Sequence, residues 1–175
     1  MKNKFLSVLV LATIFMGCKT KTDSDASKKL NIVFEAKSNS KVSGTASFIE
    51  KDGKVTFVAN ISGLDPGVHA IHIHEKSDCS AADGSSAGGH WNPTFKKHGK
   101  WGVGEYHKGY IGNFTADAKG NGIITLTTDE WCIGCGDDTK DILGKGLIVH
   151  QGADDFVSQP AGDAGARVAC SAIIK

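Results

Sequence analysis

Val68-His69-Ala70-Ile71-His72-Ile73-His74 is the stretch on which the reading of this chain turns. Apolar residues alternate with histidine here, and in an extended strand residues two apart share a face. His72 and His74 therefore point the same way, while His69 has the opposite parity and reads as a structural residue. Downstream come His90, His98 and His107, at intervals of eight and nine residues, and His150 at the end of the β-like run Leu147-Ile148-Val149-His150. A single histidine is most often a surface residue or a hydrogen-bonded core residue. A same-face pair followed by four more is a metal-site pattern, because neutral imidazole suits copper and zinc. Six imidazoles suffice for two metals if one ring is shared.

The same alternation, bounded by turn residues, predicts strands over 30–36, 42–50, 54–61 and 69–74, then over 109–115, 122–128, 144–150 and 167–174. Lys51-Asp52-Gly53-Lys54 and Lys119-Gly120-Asn121-Gly122 are hairpin signals, since Asp, Asn and Gly accept the positive φ of tight turns. Eight strands, no helical period, 22 Gly and only 3 Pro predict an all-β chain, an eight-stranded Greek-key β-barrel or sandwich. Two segments lack strand character. Residues 75–106 form a long loop that a compact domain tolerates only when it is functional or tied down. The other is 151–165, which carries Asp154, Asp155 and Asp163.

A formal net charge of +1, with no dense Lys/Arg cluster, argues against a nucleic-acid surface. At the N-terminus, Lys2 and Lys4 precede an apolar run from Phe5 to Met16 that ends in Gly17-Cys18. The run is too short to span a bilayer and reads as a signal peptide over 1–17. A small residue directly before Cys18 matches a bacterial lipoprotein cleavage site, although Phe15 stands where Leu is usual. The alternative is an ordinary secretory signal. On the lipoprotein reading, residues 18–29 comprise a lipidated Cys18 and a polar tether, and the folded domain covers 30–175. Five cysteines are an odd number for an exported protein, and lipidation of Cys18 leaves four.

Around the histidines stand Gly88-Gly89-His90-Trp91-Asn92-Pro93, Lys96-Lys97-His98-Gly99 and His107-Lys108-Gly109-Tyr110-Ile111-Gly112-Asn113, with Gly165-Ala166-Arg167-Val168-Ala169-Cys170 near the C-terminus. In this order and spacing the chain, from about residue 30 to its end, resembles the copper/zinc superoxide dismutases, specifically their bacterial exported branch. The resemblance implies a copper site of His72, His74, His90 and His150, and a zinc site of His90, His98 and His107 with His90 shared. It also implies a disulfide between Cys79 and Cys170, and makes the two strand-free segments the zinc loop and the electrostatic loop. Arg167 matches the guanidinium that steers and docks the anionic substrate, superoxide. His90 matches the ring that passes a proton to peroxide, and Asp154 the carboxylate linking a copper-site to a zinc-site histidine. The location implied is the bacterial cell envelope, with a lipid anchor in the membrane and the domain facing the periplasm or exterior.

Two features depart from the family. Tyr110 occupies the position of a zinc-ligating Asp, and a phenol of pKa about 10 is a poor zinc ligand at neutral pH. Zinc is then left with three histidines and water, or with a displaced carboxylate such as Asp78, Asp83 or Glu105, or is bound weakly. Cys132 and Cys135, in Trp131-Cys132-Ile133-Gly134-Cys135-Gly136, fall outside the family pattern and read as a local disulfide, with a redox or metal pair as alternatives. The function expected is superoxide dismutation. The alternative is a non-catalytic copper-binding or copper-delivery protein on the same fold, which Tyr110 favours. Arg167 argues against it, because storing copper requires no anion-steering cation.

Overall fold

The sequence alternation carries directly into the pleat. In β3 (Ser43–Lys51) and β4 (Lys54–Ser62) the buried positions are Ala46 and Phe48, then Val55, Phe57, Ala59 and Ile61. Phe48 lies opposite Phe57 in the ladder, with ring centroids 4.9 Å apart. Full burial of each ring contributes roughly 1.5–3 kcal/mol. The connecting turn has positive φ at both Asp52 (51°) and Gly53 (72°), as a two-residue turn matched to strand twist requires.

These coordinates are a computed structural model that describes residues 27–175. The expected signal peptide, Cys18 and the tether up to residue 26 lie outside the described residues. The remaining strands are β1 (Lys28–Val33), β2 (Glu35–Ala36), β5 (Gly67–His74), β6 (Tyr110–Ala116), β7 (Gly122–Thr128), β8 (Lys145–His150) and β9 (Arg167–Ile173). All pairings are antiparallel, in the order β1-β3-β4-β7-β6-β5-β8-β9-β2. β4 connects across to β5 and β7 across to β8, which gives the Greek key.

The count is nine and not the expected eight, because the first strand divides at Phe34. Its first half pairs with β3, and its second half pairs with β9 at Glu35↔Cys170. One continuous segment thus lies on both ends of the sheet and nearly closes the barrel. β1 also begins two residues before the expected domain boundary: Lys28 and Lys29 pair with Glu50 and Ile49, so they belong to the sheet and not to the tether. The other strands start and end within two residues of expectation.

The core packs Phe48 against Phe57 and Trp131, with Ile61, Ile71, Ile73, Leu147, Val149 and Ile173 inside. β5 is buried at every position from His69 to His74. The strand parity of His72 and His74 therefore directs them into the protein toward the long loops, and not into solvent.

Candidate metal centre

Three elements bring the histidines together. β5 pairs with β8 (Ile71↔Val149, His72↔Ile148), which sets His150 beside the His-x-His pair. The long loop then returns along the end of β5, where His90 forms an isolated bridge with His74. Its backbone is fixed by Trp91 N–H donating to Ile73 O (2.9 Å) and Ile73 N–H donating to Gly109 O (2.7 Å). A Cβ on Gly109 would lie 2.1 Å from Ile73 O, so only glycine permits this approach.

One ring nitrogen from each of His72, His74, His90 and His150 lies within 4.8 Å of the others, and the same holds for His90, His98 and His107. His90 belongs to both groups, and all six rings are buried. Hydrogen bonding decides which nitrogen of each ring remains free. His74 Nδ1 lies 3.0 Å from Gly88 O, and His150 Nδ1 lies 3.4 Å from Gly165 O. His72 Nε2 and His98 Nε2 are each 2.9 Å from one oxygen of Asp154. Left buried and without a hydrogen-bond partner are His72 Nδ1, His74 Nε2, His90 Nε2, His98 Nδ1 and His150 Nε2, together with His72 Nε2, which meets Asp154 at ion-pair distance but not in hydrogen-bond geometry. Buried ring nitrogens left unpaired in one place are costly unless something satisfies them, and imidazole nitrogens are soft enough for copper or zinc. His90 Nδ1 and His107 Nδ1 face each other at 3.4 Å. That is about the separation of two nitrogens bound to one tetrahedral zinc at about 2.0–2.1 Å. The donor set fits both metals.

The electrostatics favour neutral rings, the form that binds metal. Burial, reinforced by the surrounding rings, holds the His90 pKa far below that of free imidazole. Burial also pushes His74 well down and His150 to about 3. His72 is lowered by burial against the opposing pull of Asp154. For Asp154, burial alone would raise the pKa, but His72, His98 and the Phe156 N–H outweigh it and keep the carboxylate ionised.

Asp154 is itself held in place. Asn113 of β6 accepts the Asp154 N–H (2.9 Å) and donates to its carbonyl (2.8 Å), a role that the sequence reading missed. A Cβ on Gly162 would fall 2.1 Å from Asp154 Oδ1, so this glycine leaves room for the carboxylate. His69, expected to be structural, directs its two ring nitrogens at the carbonyls of His150 and Asp65 (3.1 and 2.8 Å).

Arg167, the first residue of β9, lines one cleft with His74, His90 and His150. Its Nη1 donates to Gly84 O at 2.8 Å. The loop carrying Gly84 is fastened to β9 by the Cys79–Cys170 disulfide. It is also held by Lys37, a buried cation without a sequence signal, whose Nζ donates to Cys79 O at 2.5 Å.

Tyr110 opens β6 directly opposite His72. Its hydroxyl is buried and unpartnered, and burial together with the Asp154 charge drives its pKa upward, so it is a neutral phenol. The carboxylates considered as replacements are engaged elsewhere: Asp78 with the Ser80 N–H, Asp83 with the Ser85 N–H, and Glu105 near Lys96. Cys132 and Cys135 are joined as a disulfide.

Residues 42–173 match the family model described as copper/zinc superoxide dismutase. Two curated proteins of Aquifex aeolicus (strain VF5) are similar. "Superoxide dismutase [Cu-Zn] 2" is 37% identical over 135 residues, covering 75% of this chain and 79% of that protein. "Superoxide dismutase [Cu-Zn] 1" is 36% identical over 135 residues, covering 74% and 79%. With a barrel of this topology and a family match over most of its length, the chain belongs to the copper/zinc superoxide dismutases, an oxidoreductase family whose metals are copper and zinc.

Proposed function

We propose that this chain is a cell-envelope superoxide dismutase in which His72 Nδ1, His74 Nε2, His90 Nε2 and His150 Nε2 hold copper. His90, His98 and His107 hold zinc through their Nδ1 atoms, without a carboxylate from position 110. The observation that carries this reading is the convergence of six buried histidines in two groups that share one ring, with unpartnered nitrogens in both. Copper, when bound, supplies the one-electron chemistry by which one superoxide becomes dioxygen and another becomes hydrogen peroxide.

The remaining work falls to side chains. Arg167 offers a fixed cation on the wall of the cleft that also exposes His74, His90 and His150. A small anion is drawn toward it and docked. His90, the ring shared by both groups, would be the side chain placed to carry a proton to peroxide whenever its Nε2 is not engaged by metal. Asp154 keeps His72 and His98 in the tautomers that leave Nδ1 free.

Tyr110 favours the second reading, a copper carrier that does not turn over. The two are separated by measuring metal content and superoxide dismutation on one preparation reconstituted with both metals. Rapid turnover with one copper per chain is expected; tight copper with negligible turnover would leave the carrier. The envelope location rests on the sequence before residue 27, and equal detergent partitioning of wild type and Cys18→Ala would remove the lipid anchor from the proposal.

A further inference from the structure

Two residues that no motif marks grip the segments around the two histidines belonging only to the zinc group, one through flanking side chains and one through backbone. Glu130 follows the end of β7. Its Oε1 accepts the Tyr106 hydroxyl at 2.6 Å and its Oε2 accepts Lys108 Nζ. Tyr106 and Lys108 are the residues on either side of His107. Adjacent Trp131 donates Nε1–H to Lys108 O at 2.8 Å, and Trp101 contacts the Trp131 ring edge-on at 5.5 Å and the Tyr106 ring at 5.2 Å. On the other side of the group, the Gln159 side chain makes both backbone bonds that a neighbouring strand would make to His98. Its Oε1 accepts the His98 N–H at 2.9 Å, and its Nε2 donates to His98 O at 3.0 Å.

The base from which Glu130 and Trp131 reach is stiff. Cys132 is bonded to Cys135, and Asp141 accepts the N–H groups of Gly134, Gly136 and Leu143 at 2.9–3.0 Å. The Cys-x-x-Cys segment, outside the family pattern, thus supports the residues that hold His107.

We propose that Glu130 and Gln159 are positioning residues for zinc, holding His107 and His98 in their ligating arrangement so that three histidines suffice where position 110 offers no carboxylate. The inference rests on the assignment of zinc to His90, His98 and His107. Its physical basis is entropic. All three ligands come from one long loop, and a loop ordered only on metal binding subtracts its ordering cost from the affinity. Both clamps act on backbone or on neighbouring side chains and leave the Nδ1 atoms free. Neither clamp touches His72, His74 or His150, so their effect is specific to zinc.

The test is the zinc and copper affinity of the purified full chain, each measured by competition with a chromophoric chelator. Glu130→Ala and Gln159→Leu are each expected to weaken zinc roughly tenfold, the lower end for outer partners of metal ligands, with copper affinity unchanged. Glu130→Gln, which keeps the shape and an acceptor oxygen, recovers part of the loss. Thermal unfolding of the metal-free variants establishes that they fold. Equal losses for zinc and copper would mean general loosening and overturn the proposal. Wild type binding one zinc, with both variants equal to it, would overturn the clamps and leave the zinc assignment standing. Wild type binding no zinc would overturn both.

Discussion

Tyr110 faces His72 across the β5–β6 ladder, with ring centroids 5.3 Å apart, and its hydroxyl is buried with nothing to bond to. The ring also lies 5.9 Å from His98 and 6.0 Å from Phe156. It is therefore a packing wall behind both groups of histidines. Tyr110→Phe is expected to keep zinc content unchanged and to raise the stability of the metal-free protein by about 1 kcal/mol, through loss of an unsatisfied buried group. Zinc lost from Tyr110→Phe in elemental analysis would show that the phenol is a ligand after all.

Asp154 places one carboxylate oxygen 2.9 Å from His72 and the other 2.9 Å from His98, and so bridges the two groups. Asp154→Asn is expected to weaken copper and zinc together, by roughly 10–100-fold. Gly162→Ala displaces the same carboxylate sterically and is expected to give a smaller effect of the same kind. Metal titrations of the two variants check this, and a loss confined to one metal would contradict the bridging role.

The metal-free protein is expected to be acid-sensitive. His150 has a folded-state pKa of about 3 against an ordinary 6.5, with burial as the main cause. A depressed folded pKa means that the unfolded chain binds the proton first. Stability is then fully present above pH 6.5 and falls by about 1.4 kcal/mol per pH unit toward pH 3 for this ring alone. His74 and His90 add to the same trend. Denaturant unfolding of the metal-free protein at pH 7 and pH 5 measures the difference, and a flat profile would contradict it.

Arg167→Gln keeps a hydrogen-bond donor but removes the cation from the cleft. Turnover at low ionic strength is expected to fall by roughly tenfold or more, and the remaining rate should respond less steeply to added salt. Stopped-flow dismutation across a salt series reads both. An unchanged salt dependence would place the steering charge elsewhere.

The two disulfides are expected to differ in their contribution to global stability. Cys79–Cys170 spans 91 residues and Cys132–Cys135 spans 3. From loop entropy, replacing the first pair by serine costs roughly 4.5 kcal/mol and replacing the second roughly 1.5 kcal/mol. Chemical denaturation of the two double variants makes the comparison.

Period-two alternation and two hairpin signals were enough to place nearly every strand, because strands such as β3 and β4 are buried on one face and their register follows. The division at Phe34 was invisible for the same reason. Leu30, Ile32 and Phe34 alternate without interruption, and what changes there is the partner strand, which composition does not encode. The histidines were legible because a ligand set needs a fixed residue type. Asn113, Gln159, Glu130 and Lys37 were not. Each acts largely through backbone atoms or flanking residues far away in the chain, such as Gln159 on His98, 61 positions apart, and any polar side chain of suitable length reads the same in sequence.

The strand that divides at Phe34 also hides two exposed borders at once. Residues 28–33 cover the free side of β3, and residues 35–36 cover that of β9. If this short stretch peels away, both borders present unpaired backbone, ready to zip onto the matching border of another molecule. The hazard of self-association is thus concentrated in the nine residues from Lys28 to Ala36. They are the first part of the barrel to feel whatever pulls, cleaves or anchors the chain ahead of them.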